Sequence, residues 1–209
     1  MNNNMDNNKV YLKGEVASDP VYDHTVMEEQ FYSLNMRIQR LSGNDDIIPV
    51  IMSNKIITAN NIKKGDKIAL RGQFRSHNKL EEGKSRLILN VFCRELCEWE
   101  EQTNPNVVEL SGYICKPPIF RTTPFMREIT DVLLAVNRNY DKSDYIPCIA
   151  WGRNAELVSK LPVGTRLIMS GRIQSREYRK QLENGTELTK IAYEVSVSSV
   201  TNPENTNEQ

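Results

Sequence analysis

The chain has 209 residues, 27 basic side chains balanced by 27 acidic ones, and 39% hydrophobic residues. That length suits one large domain or two small ones, and the near-zero net charge excludes a generally sticky polycation and leaves local charge placement to decide. No window approaches the ~18 consecutive apolar residues of a membrane span, and MNNNMDNN lacks the basic and apolar regions of a signal peptide, so a cytoplasmic protein with no membrane partner is expected.

Residues 1–8 read as a disordered tail. Strands follow in KVYLKGEV, FYSLNMRIQRL, IIPVIM, DKIALRGQF and RLILNVF, with a single helical segment, NKIITANNI, between the third and fourth. A polar linker at 100–106, within EWEEQTNPN, precedes a second run of the same order with its helix in GRNAELVSKL, and 201–209 reads as a disordered tail.

The second run is a copy of the first. VYLKGEVASDP from Val10 lies over VELSGYICKPP from Val108, matching Leu12 with Leu110, Gly14 with Gly112 and Pro20 with Pro118. Further on, Arg40 meets Arg138 and Pro49 meets Pro147; after one lost residue Gly65 meets Gly164 and Gly72 meets Gly171. An internal repeat governs architecture. Five strands with one helix after the third is the layout of an OB-fold, so the chain is predicted to be all-β with one short helix per domain. It is read as two tandem five-stranded Greek-key barrels, 9–99 and 107–200.

The copies differ in their aromatic and basic residues. Tyr140, Tyr145, Trp151 and Tyr178 stand where the first copy has Ser42, Ile47, Ser53 and Lys79. A duplicate core would need similar volume at these positions, which serine and lysine do not supply, so the rings are expected to face outward. Taken singly, each reads equally well as core; as a set absent from the twin they point to a surface. Lys and Arg outnumber Asp and Glu from Tyr113 to Lys180, and exposed rings among cations suit unpaired bases and their phosphates. The first copy instead carries Asp45, Asp46, Glu81 and Glu82 near its hairpins, where negative charge opposes phosphate. That copy is read as scaffolding or dimerising, with Arg37, Arg40, Arg71 and Arg75 the cations it can lend to a shared groove.

The segments VELSGYICKPP, LLAVNRNY, DYIPCIAWGRNAELVSKLPVGTRLIMSGRIQSREY and YEVSVSSV, in that order, resemble the bacterial single-stranded DNA-binding proteins. The resemblance covers Val107 to Val200 and reaches the first copy only faintly. It implies that Tyr140, Tyr145, Trp151 and Tyr178 are the stacking residues and that Arg138, Arg153, Arg172, Arg176 and Arg179, with Lys142 and Arg121, contact phosphate. It also implies a homodimer carrying four OB-folds, and roles in replication, recombination and repair. The family's acidic tail with a hydrophobic tip, which recruits replication and repair proteins, has no counterpart in TNPENTNEQ.

Enzyme motifs are missing: there is no Walker loop, HExxH or Gly-x-Ser-x-Gly. Cys93, Cys97, Cys115 and Cys148 are spaced as buried thiols rather than as a zinc site, so no cofactor or metal is expected. The competing readings are an OB-fold assembly module of a replication or primosome complex and a single-stranded RNA-binding protein. A pure assembly module has no use for exposed rings among arginines, whereas stacking does not distinguish RNA from DNA.

Overall fold

The alternation in NKVYLKGEV puts Val10, Leu12 and Val16 on one side of the first strand, and the same inward parity recurs along the chain. The computed structural model describes residues 7–40, 43–81, 83–139, 142–181 and 187–203. The first half runs β1 (Asn8–Val16), β2 (Val21–Val26), β3 (Glu29–Gln39), β4 (Asp45–Ser53), α1 (Asn54–Asn60), β5 (Lys67–Glu81) and β6 (Lys84–Cys97). The second runs β7 (Asn106–Ile114), β8 (Ile119–Thr122), β9 (Glu128–Asn137), β10 (Ser143–Trp151), α2 (Arg153–Ser159), β11 (Arg166–Gln181) and β12 (Glu187–Thr201). Both halves are OB-folds: the first strand pairs with both the third and the fifth of its half, and a parallel pairing, β4 with β6 and β10 with β12, completes each barrel. Equivalent residues fill the two cores. Leu12 and Leu110, Met36 and Leu134, Ile48 and Ile146, and Phe74 and Ile173 are each 1% exposed or less.

The recurring glycines mark where backbones crowd. A Cβ on Gly112 would stand 2.5 Å from the Ala135 carbonyl oxygen, and one on Gly14 would overlap that of Arg37, so only glycine lets β7 approach β9 and β1 approach β3.

Two features go beyond the sequence reading. β2 and β8 are additional short strands, wholly exposed, each hairpinned to the strand that follows. The β5–β6 hairpin keeps one register from Gly72 opposite Cys93 to Glu81 opposite Lys84, so both strands run well beyond DKIALRGQF and RLILNVF.

The barrels meet symmetrically. β1 pairs antiparallel with β7, Val10 opposite Val108, Asn8 opposite Leu110 and Leu12 opposite Asn106. Since Val10 and Val108 are the equivalent residues of the two copies, a pseudo-twofold axis passes between them and merges both barrels into one 12-stranded sheet. Two reciprocal clasps flank the axis. Asp46 Oδ1 accepts the Ser175 amide at 2.8 Å, and its equivalent Asp144 Oδ1 accepts the Ser76 amide at 2.7 Å. Each serine hydroxyl in turn accepts the next amide of the opposite barrel, Ile47 N–H at 3.3 Å and Tyr145 N–H at 2.7 Å. Arg40 forks onto Asp46 and Arg138 reaches Asp144 at 3.4 Å. The sequence placed Asp46 near a hairpin of the first copy, where its charge would oppose phosphate. Its side chain is instead 1% exposed and neutralised by arginines from both barrels, because β4 begins two residues before IIPVIM, at Asp45, and turns Asp46 into the junction.

Candidate nucleic-acid interface

On β11 the residues from Arg172 alternate so that Arg172, Gln174, Arg176 and Tyr178 lie on the outer face, a run of about 20 Å at ~3.4 Å per residue. Ile173 and its neighbours fill the barrel beneath. Beside this row, β12 presents Ser196 opposite Arg172 and Glu194 opposite Gln174. Trp151, the last residue of β10, lies over β12 and donates its indole Nε1–H to Ser196 Oγ at 3.1 Å. It is half-buried, with Gly152 at φ 52° turning the chain directly into α2. Gln174 donates to Glu194 at 2.7 Å, and the Arg176 guanidinium stands 5.9 Å from the Tyr178 ring. At the other end of β10, Tyr145 is 43% exposed, its backbone fixed by the Ser76 clasp.

Thus Tyr145, Trp151 and Tyr178 all lie on the outer side of the second barrel, and Tyr140 lies outside the described residues.

The cations divide into two groups. Lys142, Arg153 and Arg176 are exposed at the rim, Arg176 with its Nε 3.6 Å from Glu194, and so is Arg179, which lies 3.5 Å from Glu187 with both side chains solvated. Arg121, Arg138 and Arg172 are held by acids. Arg121 forks onto Asp131 at 2.5 and 3.1 Å, a pair that pushes its pKa up. Arg138 belongs to the Asp144 clasp, and Arg172 bonds Asp46 at 3.2 Å and Gln174 at 3.2 Å. Burial, followed by the nearby Arg40, pushes the Arg172 pKa down, against the pull of Asp46. The sequence grouped Arg172 with the phosphate contacts; its side chain, 38% exposed, also reaches across the barrel junction to Asp46.

The first barrel's arginines are similarly occupied. Arg37 lies 3.5 Å from Glu15 and 3.7 Å from Asp45, and Arg71 lies 3.9 Å from Glu95. Arg75 stacks 3.8 Å above the Phe92 ring, and burial pushes its pKa down to about 10, so it stays charged at neutral pH. A cleft of about 1060 Å³ does run along this barrel, walled by Lys13, Arg37, Arg40 and Trp99 among others, with both signs of charge.

Three exposed rings of the second copy were not singled out from the sequence: Tyr113, Phe120 and Phe125. Tyr113 on β7 is 42% exposed and stands where the first copy has Glu15, so the comparison that found the other rings was sufficient to find it. Among the described residues no cluster of His, Cys, Asp or Glu is arranged to hold a metal ion. Cys93 and Cys148 are buried, and burial pushes the Cys93 thiol up to about 12 and raises Cys148 as well, whereas Cys97 and Cys115, also read as buried thiols, are only partly buried. No helix among the described residues is long and apolar enough to cross a membrane.

A barrel of this topology with rings and arginines on its outer face belongs to the OB-fold class of ligand-binding modules. Comparison with known proteins narrows the class. Residues 105–201 match the model of the single-strand binding protein family. Over 96 residues the chain is 33% identical to single-stranded DNA-binding protein A of Bacillus subtilis strain 168, covering 43% of this chain and 56% of that protein. Over another 96-residue alignment it is 33% identical to single-stranded DNA-binding protein 1 of Streptococcus pyogenes serotype M18, covering 74% of that protein. The chain belongs to the single-strand binding protein family. It spans only about half the length of the Bacillus relative. In fold, 94% of it superposes on 92% of the wild-type single-stranded DNA-binding protein from Thermus aquaticus, with a TM-score of 0.72 at 20% identity. That superposition extends the likeness to both barrels, whereas the family model matches only the second.

Proposed function

We propose that this chain binds single-stranded DNA without strong sequence preference and holds unwound strands during replication, recombination and repair, performing no chemistry on them. Bases would stack on Tyr140, Tyr145, Trp151 and Tyr178, each stacked base contributing ~1–3 kcal/mol, while Lys142, Arg153, Arg176 and Arg179 neutralise phosphates. Arg121, Arg138 and Arg172 would shape the platform through their carboxylate partners. The first barrel, 9–99, would serve as scaffold and the second, 107–200, as the binding module. Two chains would pair into a cytoplasmic homodimer with four OB-folds. The observation that carries this reading is the outer face of the second barrel, where Tyr145, Trp151 and Tyr178 stand among the exposed Arg153, Arg176 and Arg179.

Trp151 and Trp99 are the two tryptophans, so a Trp99→Phe background leaves Trp151 as the reporter. Its fluorescence is titrated with oligo(dT), oligo(U) and a duplex of equal charge at two salt concentrations. Strong quenching by oligo(dT), little by duplex, and weakening with salt is the expected result. Equal response to oligo(U) would extend the reading to RNA. Silence with every strand would overturn it in favour of an assembly module.

A further inference from the structure

The strand register sets Tyr113 into a row that the site described above does not include. Tyr113 on β7 is directly opposite Ala135 on β9, and Ala135 is directly opposite Tyr145 on β10. The flanking residues Gly112, Ile114, Leu134, Val136 and Ile146 are all buried, so the Tyr113–Ala135–Tyr145 row faces outward. The rings are 42% and 43% exposed, and the side chain between them is a single methyl group. On the far side of Tyr113 its register partner on β11 is Arg166, which is exposed and donates to Ser111 Oγ at 3.3 Å.

In the first barrel the same row reads Lys67, Glu15, Arg37, Ile47. There the central pair is an ion pair at 3.5 Å, and Arg37 also neighbours Asp45. The copies therefore share a backbone, and one fills the position with charges that satisfy one another, the other with two rings about a gap. A ring that served only to cover the barrel would not need a methyl-sized neighbour, since a longer side chain at 135 would cover it better.

We propose that Tyr113 is an additional base-stacking residue, forming with Tyr145 a two-ring slot over Ala135 for unpaired bases of a single strand, with Arg166 beside it for phosphate. Two antiparallel strand intervals separate the rings' Cα atoms by about 10 Å. That equals three stacking rises of ~3.4 Å, the space that two stacked bases take between two rings. The slot also leads the strand from β10 towards β7, whose first half joins the twin barrel, so bound DNA would run along the barrel junction. This inference rests on the single-strand reading above.

The test compares wild type, Tyr113→Phe, Tyr113→Ala and Tyr113→Glu, the last placing the twin's residue there, by fluorescence titration with oligo(dT) and by thermal melting. Tyr113→Phe is expected to bind as wild type, Tyr113→Ala roughly 5- to 100-fold more weakly, and Tyr113→Glu more weakly still, with melting unchanged. Photocrosslinking of the wild type to an oligonucleotide bearing 5-iododeoxyuridine should label the peptide containing Tyr113, a readout independent of variant folding. Wild-type affinity in Tyr113→Ala together with no label on that peptide overturns the slot, while DNA binding by the wild type and its loss in Trp151→Ala would leave the single-strand reading standing. Failure of the wild type itself to bind overturns both.

Discussion

Replacing Asp46 by alanine tests the junction most directly. The carboxylate is 1% exposed, accepts the Ser175 amide at 2.8 Å and faces Arg40 from its own barrel and Arg172 from the other. Removing one member of a buried ion pair costs about 3–5 kcal/mol because the partner charge is stranded. Here the side chains of Arg40 and Arg172 are 24% and 38% exposed and can turn partly towards water, which favours the lower figure. The Ser175 amide also loses its acceptor, at about 1–3 kcal/mol if water does not replace it. A loss of about 3–6 kcal/mol follows, a large part of the ~5–15 kcal/mol that stabilises a typical domain. Urea denaturation followed by circular dichroism should show the midpoint fall by more than about 1 M at a slope of ~2–3 kcal/mol per molar. The neighbouring Asp45, 40% exposed and 3.7 Å from Arg37, supplies the control: its alanine variant should lose under about 1 kcal/mol. Indistinguishable midpoints for the two variants would refute the clasp.

The twin clasp responds to pH. Burial raises the Asp144 pKa, against the pull of the Ser76 amide, Arg138 and Arg75. The folded state therefore binds more protons than the unfolded one between the two pKa values, and this group's contribution to stability grows as pH falls through that window. Wild type should gain melting temperature relative to Asp144→Asn between roughly pH 7 and pH 4, and a relative loss would contradict the assignment. Arg179→Ala should lower the salt dependence of oligo(dT) binding by about 0.7 in log–log slope while leaving melting unchanged. Arg172→Ala should instead lower the melting temperature, as read by the same two assays. Trp151→Ala should weaken oligo(dT) binding by ~1–3 kcal/mol with the fold intact, and collapse of its circular dichroism would mean that the indole is core.

The barrels were legible because a duplicated sequence displays its constraints twice. Gly14 and Gly112 recur where two backbones nearly touch, and Leu12 and Leu110 recur in the cores. The short strands were not legible for a physical reason. β2 is exposed along its whole length, so it has no apolar alternation, and it turns into β3 through Met27 and Glu28 at φ 47° and 67°. Such a two-residue loop ordinarily announces itself by glycine or asparagine, and neither is present. In the hairpin extension to Glu81, His77 to Leu80 are all exposed, as are Lys84 and Ser85 opposite, so no inward apolar alternation marked it.

Among the site residues, difference between copies singled out the rings and also Arg172, whose position in the first copy is Gln73. The reason lies in an exchange of order. Two residues further on, Arg75 of the first copy stands against Gln174 of the second, so each β-strand keeps one arginine and one glutamine in swapped positions. In each barrel that arginine donates to that glutamine, Arg75 to Gln73 at 2.9 Å and Arg172 to Gln174 at 3.2 Å. Each also acts on the carboxylate of the opposite barrel: Arg172 on Asp46, and Arg75 on Asp144. A difference read column by column is therefore a shared role when read by charge: in each barrel an arginine of this strand acts on the carboxylate of the other. The tyrosines pass the stricter comparison: opposite Tyr145 the first barrel has Ile47, opposite Tyr113 it has Glu15, and no described neighbour in the Lys67–Glu15–Arg37–Ile47 row restores a ring.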